Sequence, residues 1–300
     1  MIRSEDIRDR VRDIDEYLLK KYKESKKIEK RDWRTYEQQL MKRVKGAIRN
    51  LEPLINEATN IEIHRGPGRP PELDLKQSVT ILLIKELIGK SNRSMASMLD
   101  LFSLLSGIDV SYKKVERLYS NYDVSLAILN LHILIMKEKG VKKINACGDG
   151  TGYSLSIKKH YASETQIRKD KAKEYSGTKA FDKAMDMLKN IDIEIESVRL
   201  DKYYSFPSYV DKFGKAKVYV IPRKNATLNG SWKWKDTMEE FVNDTMTYLR
   251  QYYLRNNYES GFSADKRWFG WKVGQKRDDR IGTALTCTGV WHNLMNLYPG

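Results

Sequence analysis

The C-terminal half of this chain is constrained most by one predicted helix. Tyr252, Arg255, Glu259 and Lys266 follow the spacing Y-x2-R-x3-E-x6-K, and at about 100° per residue the four fall within a stripe roughly 60° wide. Val242, Met246, Leu249 and Tyr253 repeat at helical spacing on a face about 120° away from that stripe. The pattern predicts one continuous helix that buries the second face and holds the first at the rim of a core. One acid, two cations and a phenol then point the same way. That arrangement suits a carboxylate that holds a metal next to cations that hold phosphates.

Two aspartates stand upstream at the ends of predicted strands. Lys143 to Gly148 is a short, partly apolar run that leads into Asp149, followed by Gly150, Thr151 and Gly152. Such a run reads as a strand entering a tight turn, and the flanking glycines leave the carboxylate uncovered. Ile193 to Leu200 alternates apolar and polar residues as a half-buried strand does, and it delivers Asp201. Ser205 is expected to cap the next helix, with Pro207 in its first turn. Val218 to Pro222 then reads as the neighbouring strand.

Asp149, Asp201 and the four-residue stripe around Glu259 resemble the signature of the IS4-like DDE transposases, and Asp201-Lys202-Tyr203-Tyr204 resembles the D-[KR]-x-Y segment after that family's second aspartate. The resemblance implies an α/β fold in which an RNase H-like mixed sheet brings the two aspartates onto adjacent strands and a following helix carries the glutamate. It implies that Asp149, Asp201 and Glu259 bind two Mg²⁺ or Mn²⁺ ions, and that Tyr252, Arg255 and Lys266 contact phosphates of the transposon end. It also implies a homodimer or larger assembly on paired DNA ends. Only 57 residues separate Asp201 from Glu259, so the chain resembles the compact form that lacks a large β-rich insertion. A catalytically decayed relic that only binds DNA, and a different RNase H-like nuclease, are compatible with the same residues.

The chemistry fits the residue types. In-line cleavage of a phosphodiester by two metal ions needs hard oxygen ligands, and three carboxylates suffice. His64, His132, His160 and His292 are scattered, and Cys147 and Cys287 are the two cysteines. No zinc site, thiol nucleophile or disulfide framework follows from them. A net charge of +15 draws a protein toward polyanions, with phosphate neutralisation dominating affinity. The partner expected is double-stranded DNA, with no small-molecule substrate and no membrane. Charge from Arg3 onward argues against a signal peptide, and the longest apolar stretch is too short to span a bilayer. The expected location is cytoplasmic, associated with the nucleoid.

Ahead of the catalytic region, taken as residues 141–300, the chain reads as helices. Residues 1–60 form one helical region, with Ile7, Val11, Ile14 and Leu18 as an amphipathic stripe. Residues 61–73 contain Arg65-Gly66-Pro67-Gly68-Arg69-Pro70-Pro71, which cannot be helix or central strand. This stretch is either a linker or a minor-groove hook that inserts Arg69 into DNA. Residues 74–140 hold a helix capped by Asp74, a second from Asn92 and Ser94, a turn at Gly107 and a basic helix capped by Ser111. A helix, a turn and then a basic helix form a helix-turn-helix pattern that sends Lys113, Lys114 and Arg117 to DNA; a small bundle is the other reading. Asp123 is expected to begin the long apolar helix that follows.

Trp232-Lys233-Trp234 is expected in a turn, where Trp232 either stacks on an unpaired base or packs at the rim of the core. Between the aspartates the fold needs two more strands and a helix. Tyr153 to Ile157 reads as one strand, while Lys158 to Lys179 is mostly charged, unlike a covered central strand.

Overall fold

In the computed structural model, residues 2–24, 32–62, 71–89, 95, 98–100, 103–104, 108–148, 154–155, 193–270, 272–275 and 277–298 are described. Their elements in chain order are α1 (Ser4–Glu24), α2 (Trp33–Ala58), α3 (Leu75–Ile88), α4 (Tyr112–Leu118), α5 (Tyr122–Glu138), β1 (Lys143–Gly148), β2 (Ser154–Leu155), β3 (Glu194–Leu200), α6 (Pro207–Val210), β4 (Lys217–Val220), α7 (Trp232–Asn243), α8 (Thr245–Tyr252), α9 (Arg255–Phe269), β5 (Lys272–Val273) and α10 (Asp278–Leu297). Contacts divide the chain into two compact units, one of Met1–Arg31, Lys142–Thr151 and Ser163–Phe262, the other of Asp32–Val141, Gly152–Ala162 and Ser263–Gly300. This division runs across the four consecutive segments read from the sequence. Ile7, Val11 and Ile14 of the α1 stripe join the core of the strands and α7, whereas α2 joins α3, α5 and α10.

The first unit is α/β. Its sheet has the order β1-β3-β4, all parallel. Apolar residues of β3 change phase along the strand, from Ile195 to Val198 and Leu200. A β-bulge absorbs the change: Ile144 pairs with Ile195 and Asn145 with Ser197, which leaves Glu196 without an opposite residue. Ile195, Val198 and Leu200 thereby join one apolar side. Val198, Leu200, Val218 and Val220 are buried with Ile7, Val11 and Ile14 of α1 and with Trp234, Met238 and Phe241 of α7. The remaining strands of an expected mixed sheet, and the charged stretch from Lys158 to Lys179, lie outside the described residues. From the strand read over Tyr153 to Ile157, Ser154–Leu155 is seen, and it pairs with β5 instead of β1.

The second unit is a helical bundle. Leu51, Ile55, Leu82, Leu131, Ile135 and Trp291 are buried in its core, and the Trp291 indole donates to the Leu83 carbonyl at 2.8 Å. A polar knot sits within it. Lys85, 3% exposed, donates to Glu86 at 2.8 Å, and the Tyr119 hydroxyl donates to the same carboxylate. Burial and the neighbouring Glu86 push the Tyr119 phenol well up, so it stays a donor.

Local capping agrees with the sequence at several ends and corrects it at others. Asp74 and Gln77 form a capping box on α3, which ends at Gly89 with φ 68°. Ser111 caps α4. Asn121, not Asp123, caps α5; Asp123 lies in the first turn, where its charge meets the positive end of the helix dipole. Phe206, not Ser205, precedes α6, and the Ser205 hydroxyl is buried without a hydrogen-bond partner among the described residues. Ser231 caps α7, so Trp232, Lys233 and Trp234 open a helix and do not form a turn. The Tyr248 hydroxyl lies on the outer edge of β4, accepting from the Val220 amide at 2.9 Å and reaching the Val220 carbonyl at 3.2 Å.

The largest correction concerns the continuous helix read from Val242 to Lys266. The structure has α8 ending at Tyr252 and α9 starting at Arg255, with a turn at Tyr253 and Leu254. The Gln251 carbonyl, which an unbroken helix would give to the Arg255 amide, is engaged by Arg199 Nε at 2.9 Å; a side chain entering the ladder is an established cause of helix breaks. Tyr252, read as a rim residue, is buried together with Leu249, and Met246, read as core, is exposed.

Truncating the fully buried Phe241 in Phe241→Ala is expected to destabilise the first unit by about 3–5 kcal/mol. Trp33→Ala, at a side chain 62% exposed, is expected to change stability by less than about 0.5 kcal/mol. Urea unfolding of the two variants checks the contrast.

Candidate active site

Asp201 directly follows the last residue of β3. Leu200 is the register partner of Gly148, the last residue of β1, so β1 and β3 end side by side. Such carboxyl ends of parallel strands are the usual position for a site in an α/β sheet. Asp149 follows β1 but lies outside the described residues.

The Asp201 carboxylate is held from two sides. One oxygen accepts from the Tyr203 amide at 2.8 Å, which also caps a 3-10 turn at Lys202–Tyr204. The other accepts from Arg255 Nη1 at 2.7 Å. Burial opposes ionisation of this carboxyl, but the amide and the guanidinium outweigh it and hold Asp201 below the usual carboxylate range. The Arg255 guanidinium lies 5.7 Å from the centre of the Tyr252 ring. Burial pushes the Tyr252 phenol up to about 12, against the opposing pull of Arg255, so Tyr252 is a neutral hydrogen-bonding group at neutral pH.

Asp201, Tyr252 and Arg255 are therefore brought together. Glu259 lies one turn beyond Arg255 on α9, and its side chain is outside what is described. Lys266 lies further along α9, in the part of the chain that belongs to the second unit. Trp232 is not near Asp201. It is 84% exposed and lines a cavity of about 410 Å³ with Gly214, Lys217, Lys233 and Glu240. That cavity lies where β4 begins, whereas Asp201 follows the end of β3, which runs parallel to it. In the second unit, Lys113 and Arg117 are exposed on α4 while Val115 and Leu118 are buried. Lys114 is 3.6 Å from Glu72. Arg280 holds α4 through Glu116 and through Ser120 at 2.8 Å. Arg69 lies outside the described residues.

Two features escaped the sequence reading. Arg199 is a buried guanidinium two residues before Asp201; an arginine opposite the apolar phase of a strand reads as solvated. Arg223 stacks 3.9 Å from the centre of the Phe206 ring and donates to the Tyr203 carbonyl at 2.8 Å. Tyr203 and Phe206 remain 54% and 41% exposed, which makes a cationic, aromatic rim beside Asp201. Nothing in the spacing of these residues announces it.

A divalent metal needs charged, partly open oxygen ligands. Asp201 fits: its carboxyl is ionised, its side chain is 35% exposed, and each oxygen has spare acceptor capacity beyond its one bond. Among the described residues no group of three or more metal-ligating side chains is assembled, and none of their helices is long and apolar enough to cross a membrane.

Asp201→Asn is expected to lower the melting temperature at pH 7. Because the folded carboxyl is depressed below its ordinary value of 3.8, the stabilisation is full above about pH 4 and is lost as pH falls through the folded value. The difference between wild type and variant therefore shrinks in acid. A difference that stays constant from pH 7 to pH 3 rules this out.

No protein-family model matches the chain, and no solved structure matches it. It is 41% identical over 273 residues, covering 84% of each chain, to a protein of Archaeoglobus fulgidus described as "Probable transposase for insertion sequence element ISA1214". Identity of this extent reaches well beyond any local motif, and the chain belongs to the family of insertion-sequence transposases that this relative represents.

Proposed function

We propose that the protein is a DNA transposase of the DDE type, with an RNase H-like catalytic unit of the IS4-like kind. The observation that carries this reading is the meeting of Asp201 and Arg255. The first stands at the carboxyl end of a central parallel strand, and the second on the helix that bears Glu259. In the proposal Asp149, Asp201 and Glu259 hold two Mg²⁺ or Mn²⁺ ions. When bound, these ions activate the attacking oxygen and stabilise the leaving one.

The chain's own residues do the rest. Arg255 helps to keep the Asp201 carboxylate ionised, and its fixed positive charge suits a phosphate brought to the same place. Neutral Tyr252 packs under that guanidinium. Arg223, stacked on Phe206 beside exposed Tyr203, adds positive charge and two ring surfaces along the path of a DNA strand. Lys113 and Arg117 face outward from α4, as a helix that contacts double-stranded DNA requires. Lys266 and Arg69 complete the proposed phosphate contacts. The protein acts as a homodimer that pairs the two ends of the element.

Calorimetry with Mn²⁺ tests the metal reading. Saturable binding to the wild type, weakened at least about tenfold in Asp201→Ala and in Glu259→Ala, is expected. Metal-dependent DNA cleavage that persists undiminished in both variants would sink it. For the DNA contact, Arg117→Ala is expected to reduce the slope of log affinity against log salt by about 1. An unchanged slope removes Arg117 from the interface.

A further inference from the structure

We infer that Arg199 is the positioning residue of the active centre, a buried guanidinium that sets the three carriers of the carboxylates against one another. The inference rests on the DDE reading above. Arg199 is 3% exposed, and a buried charge is disfavoured unless its hydrogen bonds are made. Its donors reach three elements. Nη1 donates to the Ser197 hydroxyl at 2.6 Å on its own strand, β3, and reaches the Asn145 amide oxygen at 3.5 Å on β1. Nε donates to the Gln251 carbonyl at 2.9 Å, and Nη2 reaches the Gln251 side-chain oxygen at 3.4 Å, both on α8. Its guanidinium carbon lies 5.2 Å from the centre of the Tyr219 ring on β4.

These elements are the ones the chemistry needs. Asn145 is four residues before Asp149, Arg199 is two before Asp201, and Gln251 lies in the last turn of α8, after which a turn leads into α9 and Glu259. The clasp is also reciprocal. Strand β3 gives Arg199 to the helix junction, and the junction gives Arg255 back to Asp201 at the end of β3. One long ion pair leaves rotation about its axis free. Two bonds in opposite directions between the same elements fix distance and rotation together. The rigid fork of arginine suits this work in a way that a single ammonium does not, and catalytic carboxylates need placement to about half an ångström.

The experiment compares wild type, Arg199→Gln and Arg199→Lys at a temperature where circular dichroism shows each folded. Hydrogen exchange is followed in the peptide around Leu249 to Asn257, without metal or DNA, and Mn²⁺ affinity is measured by calorimetry. Faster exchange at the Tyr253 and Asn256 amides, which bond to Leu249 and Tyr253, is expected in Arg199→Gln. A fall of about tenfold or more in Mn²⁺ affinity should accompany it. Arg199→Lys keeps the charge without the fork and is expected to fall between. A junction that exchanges as in the wild type in Arg199→Gln overturns the proposal, even if the melting temperature drops. If Arg199→Gln does not fold, wild-type exchange in Arg199→Lys overturns it instead. A wild type that takes no Mn²⁺ while the junction loosens in the variant would count against the metal reading and leave the clasp standing.

Discussion

The phase change in β3 is the constraint on which the first unit depends. Side chains on a strand alternate with period two, so a slip of one residue exchanges the two faces. Without the bulge at Glu196, Ile195 would share a side with Ser197, Arg199 and Asp201. The bulge lets Ile195 join Val198 and Leu200 on the apolar side. What remains opposite is a run of polar positions, Ser197, Arg199 and Asp201, matched across the ladder by Asn145 and Cys147 on one strand and Tyr219 on the other. The location of the site follows from that single extra residue.

This polar side of the sheet is covered, which is unusual for a row containing a guanidinium. Helix α8 lies over it, with Tyr248 packed edge-to-face against Tyr219 at 5.2 Å between ring centres. Burying the row is tolerable because its donors find partners, and among the described residues those of Arg199 are neutral oxygens and an aromatic face. The second unit solves a comparable problem differently. There Lys85 sinks into the bundle, but it takes Glu86 and Tyr119 with it as a closed ionic group. A pair of that kind holds a core in one arrangement and offers nothing to a ligand. The row on β3 ends in a carboxylate that is still partly open to solvent.

Much of this was legible in the sequence, for identifiable reasons. The partly apolar run before Asp149 and the alternating run before Asp201 gave two paired strands, and the apolar run from Val218 to Pro222 gave the third. Asp74 and Ser111, with short side chains suited to backbone amides, marked the helix starts where they stand. The helix from Val242 to Lys266 was misread because periodicity sees only intrinsic spacing. At its break the Gln251 carbonyl is taken by Arg199, a residue 52 positions before Gln251, and no local pattern reports such a contact. Spacing placed Tyr252 and Arg255 near each other, as they are, but gave neither the burial of Tyr252 nor the partner of Arg255. The Arg223–Phe206–Tyr203 rim is likewise tertiary, joining residues from before and after β4.

One hydroxyl described above has a consequence for how the protein behaves in a crowded solution. Strand β4 is the outer strand of the described sheet, and an outer strand offers unpaired amides and carbonyls on which another chain can grow. Tyr248 occupies that rim with a single phenol that both accepts from Val220 and donates back to it. Burial pushes the phenol up, which keeps it protonated at neutral pH. At Val220 a side chain thus takes up the amide and carbonyl that a further strand would otherwise pair with.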